Sequence, residues 1–339
     1  MATATKTRKK SDFDLNQVVT DKLIEAMESG TAPWKSPYLV RGLPMSMSTG
    51  KMYRGINPLL LTIEAQLHGY SSPWWGTFDQ IAERAGCVKV YDEETGFTNW
   101  QHPSGQPAGV RKGEKSTLVT FWKRYQRDAK DENGNTIYEN GQPKKKTAAM
   151  LRYFRVFNAD QADWPDGVPT KFAPAERGED FDPIDEADTI VLGYTSNGGP
   201  AIQHLDQTVA WYAPKMDVVN VPNPENIRGN DEYYSALFHE LGHSTGHAER
   251  LNRPGIADLA KHGRGKVYAA EELVAEMSAA MLCGHAGIQD TIDNSAAYLR
   301  GWASYLKDDP KAAVRAASQA QKAVDLILGE SFDDNNEES

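Results

Sequence analysis

The stretch 237-LFHELGHSTGHAERL-251 places His239 and His243 four residues apart, with Glu240 directly after the first histidine. On a helix these two imidazoles lie on one face and can bind a single ion. This HExxH pattern is typical of Zn²⁺ sites in which the glutamate acts as general base. The segment 231-DEYYSALFHELGHSTGH-247 starts with two acids and repeats its apolar residues at helical spacing, which predicts a helix. A buried helix whose histidines only form hydrogen bonds is the simpler alternative, so a third ligand is needed.

Three nearby residues or segments offer that third ligand. His247 lies eight residues after His239, and on a straight helix it is rotated by about 80° from the pair. Glu249 stands where the metzincin pattern HExxHxxGxxH has its last ligand, and Gly246 matches the glycine of that pattern. Glu249 is a carboxylate where that pattern has an imidazole, which weakens the match.

The third possibility is the amphipathic segment 271-EELVAEMSAAML-282, in which Glu272 and Glu276 share one helix face. In gluzincin-type sites a glutamate on the following helix is the third ligand, and a carboxylate one turn later orients a histidine. We therefore predict that His239, His243 and Glu272 bind the metal, that Glu276 orients a histidine and that Glu240 is catalytic. Glu276 and Glu249 remain alternatives for the third ligand. Such donors favour Zn²⁺ but also accept Mn²⁺ or Co²⁺.

The length of 339 residues allows two domains with a substantial core in each. Cys87 and Cys283 lie far apart and form no CxxC pair, which favours a reducing compartment. The basic start MATATKTRKKSDF is not followed by an apolar segment, and no apolar run is long enough to span a bilayer. We expect a soluble, cytoplasmic protein without a membrane partner.

The charge is divided unevenly along the chain. Residues 1–155 hold 23 Lys and Arg against 16 Asp and Glu, a net charge of +7, so the remainder carries −17 of the total of −10. Two modules with different partners are indicated, because a basic module suits a polyanion. The Pro-, Gly- and acid-rich stretch 163-DWPDGVPTKFAPAERGEDFDP-183 is typical of a linker. We predict a disordered basic start, a nucleic-acid-binding domain, a linker, a metal-binding domain and a disordered acidic tail, over residues 1–10, 11–160, 161–183, 184–330 and 331–339.

Aromatic and basic residues alternate within the basic half, which holds five of the eight tryptophans. Single-stranded nucleic acid is typically bound by a basic groove and aromatic side chains that stack on bases. Some of these aromatics must belong to the core instead. We predict that Trp74 and Trp75, in an expected turn, stack on single-stranded DNA, and that residues 10–160 suffice for binding. The phosphates would be contacted by Arg54, Lys112, Lys115, Lys123 and Arg124.

Hydrophobic periodicity and turn signals predict an α+β protein. The expected strands are 117–126 paired with 147–157 across a polar hairpin at 128–146, and 208–214 and 216–222 before the HExxH helix. The first helix should run near 12–29 with Ser11 or Asp12 as its cap. The other expected helices are 57–68, 269–283, 294–307 and 311–328.

Several motifs together resemble the ArdC-type antirestriction proteins of plasmids and phages. The motifs are 49-TGKMYRGIN-57, 72-SPWWGTFDQIAERAG-86, 110-VRKGEKSTLVTFWK-123, 238-FHELGHSTGHAERLNR-253 and 271-EELVAEMSAAMLCG-284. The resemblance covers nearly the whole chain. It implies an N-terminal single-stranded-DNA-binding domain related to that of conjugative primases, and a C-terminal zincin-like metallopeptidase domain.

The resemblance also implies protection of incoming plasmid or phage DNA from host restriction. It maps the family's metal-binding histidines onto His239 and His243 and its glutamate onto Glu240, and it favours Glu272 as third ligand. The acidic half would act on protein, such as a host restriction subunit. Two alternatives differ in class: a protease of host proteins that uses DNA only for targeting, and a DNA-binding protein whose metal domain is inactive and structural.

Overall fold

The computed structural model describes residues 14–30, 43–172, 182–223, 226–227, 229–256, 266–288 and 296–330. The described N-terminal part combines helices with short and long strands. The helices are α1 (Leu15–Glu28), α2 (Asn57–His68) and α3 (Phe78–Arg84). The strands are β1 (Met45–Ser46), β2 (Trp74–Gly76), β3 (Val88–Asp92), β4 (Phe97–Gln101), β5 (Gly109–Val110), β6 (Thr117–Asp128), β7 (Tyr138–Glu139), β8 (Gln142–Pro143), β9 (Lys145–Asn158) and β10 (Ala162–Asp163).

The described C-terminal part places one small sheet among five helices. The helices are α4 (Pro183–Ser196), α5 (Asn230–Ser244), α6 (Lys266–Ala286), α7 (Ala296–Asp308) and α8 (Ala312–Leu328). The strands are β11 (Ala201–Leu205), β12 (Trp211–Ala213) and β13 (Val218–Pro222). The chain is thus a two-domain α+β protein, as predicted.

The predicted pairing of the two long strands is confirmed. β6 and β9 run antiparallel from the pair Thr117–Val156 to the pair Asp128–Lys145, within a sheet of order β1-β2-β9-β6. The inner end of β6 is buried because α2 packs on it, and Asn57 Nδ2 donates to Thr120 O at 2.7 Å. The outer end is exposed on both faces.

The polar insertion after β6 forms the predicted hairpin. Its strands β7 and β8 are joined by Asn140 and Gly141, which have φ angles of 51° and 79°. Two consecutive residues with positive φ make the type I′ geometry that Asn-Gly favours, because this turn matches the twist of the strands. The hairpin thus extends the exposed end of the β6–β9 pair.

The boundaries of two predicted segments need correction. Residues 162–172 fold with the N-terminal part, because β10 pairs with β5 and Phe172 is buried in the core below β2. The linker therefore cannot begin before residue 173, and residues 173–181 lie outside the described part. The first helix begins at Leu15, where Asp14 Oδ1 accepts from the amide of Asn16 at 2.9 Å, so the cap is Asp14 and neither Ser11 nor Asp12.

Helix α1 packs against α7 and α8 of the C-terminal part as well as against α2 of its own domain. Its buried residues share one hydrophobic cluster with those helices, and Thr20 Oγ1 donates to Pro310 O at 2.7 Å. Lys307 Nζ also donates to Glu28 Oε1 at 2.7 Å. Since this face of α1 would be exposed in an isolated N-terminal fragment, experiments on DNA binding need the full chain.

The C-terminal sheet has the order β11-β13-β12, with β11 parallel and β12 antiparallel to β13. Helix α5 packs against this sheet on one side and against α6 on another. Gly242 permits the close contact with α6, because a Cβ there would lie 3.2 Å from Ser278 Cβ. Across the described residues, no helix is both long and apolar enough to cross a bilayer.

Candidate metal centre and nucleic-acid surface

The HExxH helix and α6 bring the predicted metal-binding side chains together. One donor atom from each of His239, His243 and Glu272 lies within 4.8 Å of the other two. His243 Nε2 lies 3.2 Å from Glu272 Oε1, and His239 Nε2 lies 3.7 Å from Glu272 Oε2. Two imidazoles and one carboxylate are the donors of a catalytic Zn²⁺ site with one open position. The arrangement fits a divalent ion.

Separate carboxylates face the other nitrogen of each imidazole. Glu276 Oε2 lies 3.7 Å from His239 Nδ1, which is the contact expected from the sequence. Glu271 Oε1 lies 3.5 Å from His243 Nδ1, a contact that the sequence analysis missed. Both glutamates are buried, and Glu240 is also buried in this region. Helix α6 thus presents three acids to the two histidines of α5.

The carboxylates control the protonation of the histidines in the metal-free protein. Burial by itself lowers the pKa of His243, but hydrogen bonds to Glu271 and Glu272 outweigh it and raise the pKa to about 10. Burial is also the largest single influence on the pKa of His239 and lowers it. The charge of Glu276 and its hydrogen bond act in the opposite direction, and the pKa is raised overall. A cation is thus favoured at this position, and a metal ion has to displace a proton there.

Residues that follow α5 form hydrogen bonds with the C-terminal end of that helix. Arg250 Nε donates to Ser244 O at 2.8 Å, and its guanidinium forms an ion pair with Asp217 before β13. Arg253 is buried and contacts both oxygens of Glu271. Of the alternative third ligands, neither His247 nor Glu249 belongs to the cluster of donor atoms.

The two tryptophans predicted to stack on DNA do not lie in an exposed turn. Trp74 and Trp75 form strand β2 and not a turn, and the side chain of Trp75 is only 1% exposed. Trp75 packs with Leu61 in the core, so the prediction that it stacks on DNA is wrong for this structure. Trp74 is half-buried and makes an edge contact with Phe172 at 5.1 Å, so it is not the exposed turn residue expected from the sequence.

The predicted phosphate contacts divide into two groups. Arg54 forms an ion pair with Asp325 of α8 at 2.6 Å, and the amide of Gly55 donates to Gln321 Oε1 at 3.0 Å. This segment joins the two parts of the chain, so Arg54 is corrected from a phosphate contact to an interdomain one. The remaining predicted residues are exposed near or on β6: Lys112, Lys115, Lys123 and Arg124.

The outer part of the β6–β9 pair carries cations and aromatics that the sequence analysis only partly identified. We call residues 121–127 and 145–155 the basic ribbon, which holds seven Lys and Arg and no Asp or Glu. Directly paired residues of antiparallel strands share a face. One side, termed the phenylalanine face, carries Phe121, Lys123, Tyr125, Arg127, Lys146, Met150, Arg152 and Phe154. The other, the tryptophan face, carries Trp122, Arg124, Lys145, Tyr153 and Arg155.

Aromatic rings on the phenylalanine face are arranged for stacking. The rings of Phe121 and Phe154 stack at 4.6 Å with an angle of 7° between their planes. Phe154 is 53% exposed, and Arg152 pairs directly with Phe121 across the ribbon. Flat apolar surface and cations therefore lie side by side on solvent-exposed strands.

Comparison with known proteins supports both halves of this description. Residues 13–157 match the sequence model for the N-terminal domain of anti-restriction factor ArdC, and residues 193–319 match that for a zincin-like metallopeptidase. The metal-free crystal structure of antirestriction protein ArdC from plasmid R388 is 33% identical, with a TM-score of 0.68, over 93% of this chain and 97% of that chain.

The chain belongs to the ArdC family. The Mn(II)-bound structure of the R388 ArdC protein is also similar, with 32% identity, a TM-score of 0.65, and coverage of 94% of this chain and 98% of that one. The uncharacterized protein y4eC of Sinorhizobium fredii is 31% identical over 94% of this chain and 93% of its own length. Two DNA primases TraC of Escherichia coli are each 33% identical over 92% of this chain, which spans only 27% and 20% of their lengths.

Proposed function

We propose that the C-terminal domain is a metal-dependent peptidase, and that His239, His243 and Glu272 hold its divalent ion. The observation that carries this proposal is the convergence of these three donors within 4.8 Å, two of them on the helix that also carries Glu240. Zn²⁺ is the expected ion from the ligand types, while the Mn(II)-bound structure of the R388 relative supports Mn²⁺ as an alternative.

Glu240 is the catalytic residue of this proposal. A divalent ion bound here would supply Lewis acidity to a peptide carbonyl and make water a better nucleophile at neutral pH. The Glu240 carboxylate would accept the proton of the attacking water and then pass it to the leaving amine. It follows His239 on α5 and is rotated by about 100° around the helix, from where it would reach a water on the open side of the ion. Burial would keep the carboxylate away from bulk water.

A peptide substrate fits the exposed edge of the C-terminal sheet. β12 (Trp211–Ala213), which lies within the strand predicted at 208–214, is an edge strand, and its Trp211 is 46% exposed. An extended peptide can pair with such an edge through backbone hydrogen bonds. We therefore propose that the substrate is an unfolded or extended protein segment.

Two variants test the peptidase. Casein or host-cell lysate is incubated with wild type and with Glu240→Ala, each loaded with Zn²⁺ or Mn²⁺, and Glu249→Ala serves as the matched control on the same segment. Loss of cleavage in Glu240→Ala alone is expected. Equal cleavage by all three proteins would reject the proposal, and no cleavage by any would favour a structural metal domain.

Metal analysis tests the third ligand separately. Wild type, Glu272→Ala and Glu249→Ala are dialysed against each metal, and the bound ion is counted per chain. We expect one ion in wild type and in Glu249→Ala but little in Glu272→Ala. Loss of the ion only in Glu249→Ala would show that the choice of ligand is wrong.

We further propose that the N-terminal domain binds single-stranded DNA through the phenylalanine face of the basic ribbon. Its stacked phenyl rings offer a surface for bases, and its cations offer contacts to phosphates. No groove for reading base edges is required, so we expect little sequence preference. The C-terminal part, with its net charge of −17, would repel DNA and act on protein, such as a restriction subunit.

Together these activities would protect entering plasmid or phage DNA from host restriction in the cytoplasm. Binding is measured by fluorescence anisotropy of a labelled oligonucleotide with the full chain. Phe154→Ala should weaken binding by roughly 5- to 150-fold, since one stacked base contributes ~1–3 kcal/mol. Trp122→Ala on the tryptophan face is the control. Duplex preference, or equal loss in both variants, would contradict the assignment of this face.

Protection itself needs a cellular test. A plasmid carrying restriction sites is transferred into restricting and non-restricting hosts with wild-type protein, Glu240→Ala or Phe154→Ala. We expect wild type to raise the yield only in the restricting host, and each variant to lose that advantage. Protection by Glu240→Ala equal to wild type would remove the peptidase from this role.

A further inference from the structure

The Nδ1 atoms of the two imidazoles that face the metal position are contacted by different carboxylates. Glu272 faces the Nε2 atoms of both His239 and His243. Glu276, one turn later on α6, faces Nδ1 of His239, but Nδ1 of His243 faces Glu271. The adjacent acids Glu271 and Glu272 therefore contact opposite nitrogens of the same imidazole. This arrangement places His243 between two carboxylates.

Arg253 fixes the position of Glu271. Arg253 Nε lies 2.9 Å from Glu271 Oε2, and Arg253 Nη2 lies 2.5 Å from Glu271 Oε1. The same Oε1 atom accepts from His243 Nδ1, so arginine and imidazole share one oxygen. Both Arg253 and Glu271 are at least 95% buried. A two-pronged contact of this kind sets the orientation of the carboxylate as well as its charge.

The guanidinium is in turn held by the end of the HExxH helix. Arg253 Nη2 donates to Gly242 O at 2.8 Å, and Arg253 Nη1 donates to Thr245 Oγ1 at 2.6 Å. The surrounding backbone is packed closely, because a Cβ on Gly255 would lie 2.6 Å from Glu271 Cβ. Arg253 thus links the loop after α5 to both helices that carry the metal donors.

We propose that Glu271 is a positioning residue for the metal site and that Arg253 holds it in place. Glu271 accepts a hydrogen bond from Nδ1–H of His243, which leaves the Nε2 lone pair directed at the position between His239 and Glu272. The two-pronged contact from Arg253 prevents Glu271 from turning toward the ion as a competing ligand. This inference rests on the proposed metal site and assigns the Arg253–Glu271–His243 chain no contact with substrate.

Partners of metal-bound histidines typically affect metal affinity by 10- to 100-fold. Removing only one member of the buried ion pair would leave the other charge unpaired and could unfold the protein. The double substitution Arg253→Met with Glu271→Met removes both charges and keeps similar volumes, so it is the main variant. Arg253→Lys keeps the charge without the two-pronged geometry, and it should lie between wild type and the double variant.

The experiment measures Zn²⁺ affinity of the full chain by competition with a chromophoric chelator. Thermal unfolding of each metal-free protein shows whether it is folded. The visible absorption spectrum of Co²⁺-loaded protein reports the geometry at the ion, which a purely structural ion pair would leave unchanged. We expect the double variant to bind Zn²⁺ 10- to 100-fold more weakly and to have an altered Co²⁺ spectrum. The control is Glu249→Gln, outside the donor cluster, which should change neither.

Each outcome has one meaning. A folded double variant with wild-type affinity and spectrum would overturn the positioning role while leaving the proposed metal site intact. Weaker binding without a spectral change, equal in Arg253→Lys and the double variant, would also overturn it, because orientation would then not matter. Absence of bound Zn²⁺ and Mn²⁺ in wild type would instead overturn the proposed function itself and this inference with it.

Discussion

Neutralising cations on one face of the basic ribbon should change the salt dependence of DNA binding. The phenylalanine-face variant replaces three exposed cations by glutamine: Arg127, Lys146 and Arg152. For single strands the logarithm of the binding constant falls with the logarithm of salt concentration by about 0.7 for each phosphate contacted. If each cation contacts one phosphate, the slope becomes shallower by about 2.

That change in slope can be measured directly. Between 50 and 200 mM salt, wild type should lose about 20-fold more affinity than the variant, from the same relation. The assay is fluorescence anisotropy of a labelled oligonucleotide at four salt concentrations. The matched control removes three cations of the tryptophan face: Arg124, Lys145 and Arg155. Equal slopes for the two triple variants would show that net charge, and not this face, determines binding.

Three further predictions concern the metal site, the core and acid stability. Zn²⁺ at 100 times its Kd should stabilise wild type by about 2.7 kcal/mol in thermal unfolding, and Glu272→Ala should show almost none of this gain. Trp75→Ala should lower the free energy of unfolding by about 3–5 kcal/mol, because its side chain is buried, whereas Trp122→Ala should cost less than about 1 kcal/mol; urea titration distinguishes them, and similar losses would contradict the burial. Burial, opposed in part by Asp325, holds the pKa of half-buried His285 at about 4. Unfolded histidine titrates near 6.5 and so binds the proton more tightly, which means that stability is complete above pH 6.5 and falls by roughly 1–3 kcal/mol toward pH 4. His285→Gln should lose less over this window in urea titrations at each pH, and an identical loss would contradict the role of this group.

The residues that we propose as metal ligands could be grouped from the sequence because their spacing is set by local geometry. His239 and His243 lie on one helix face whatever the rest of the chain does, and Glu272 and Glu276 do so on the next helix. The pairing of β6 with β9 was similarly readable from alternation and turn residues. These signals depend on residues at most a few positions apart.

The features that the sequence analysis missed depend on contacts between distant segments. Arg54 follows an aromatic in a basic stretch, but its partner Asp325 lies 271 residues later. Trp75 occurs between Pro73 and Gly76 in a short run that also suits a turn, and only packing against Leu61 makes it a core residue. Glu271 is the first of two adjacent acids, and Arg253 distinguishes it from an exposed charge. A pair of adjacent acids close to a metal-binding pattern is the sequence signal that could have indicated Glu271.

The packing of α1 against α7 has a consequence for synthesis on the ribosome. The first turns of α1 are made about 280 residues before α7 is complete. At a translation rate of roughly 5–20 residues per second, the apolar face of α1 is made about 15–60 s before the helix α7 that packs on it. During this time Val19 and Leu23, which are fully buried in the finished protein, are available to nascent-chain chaperones or to neighbouring chains. In a host with few free chaperones, the amount of folded protein would therefore fall, while each folded molecule would keep its activity.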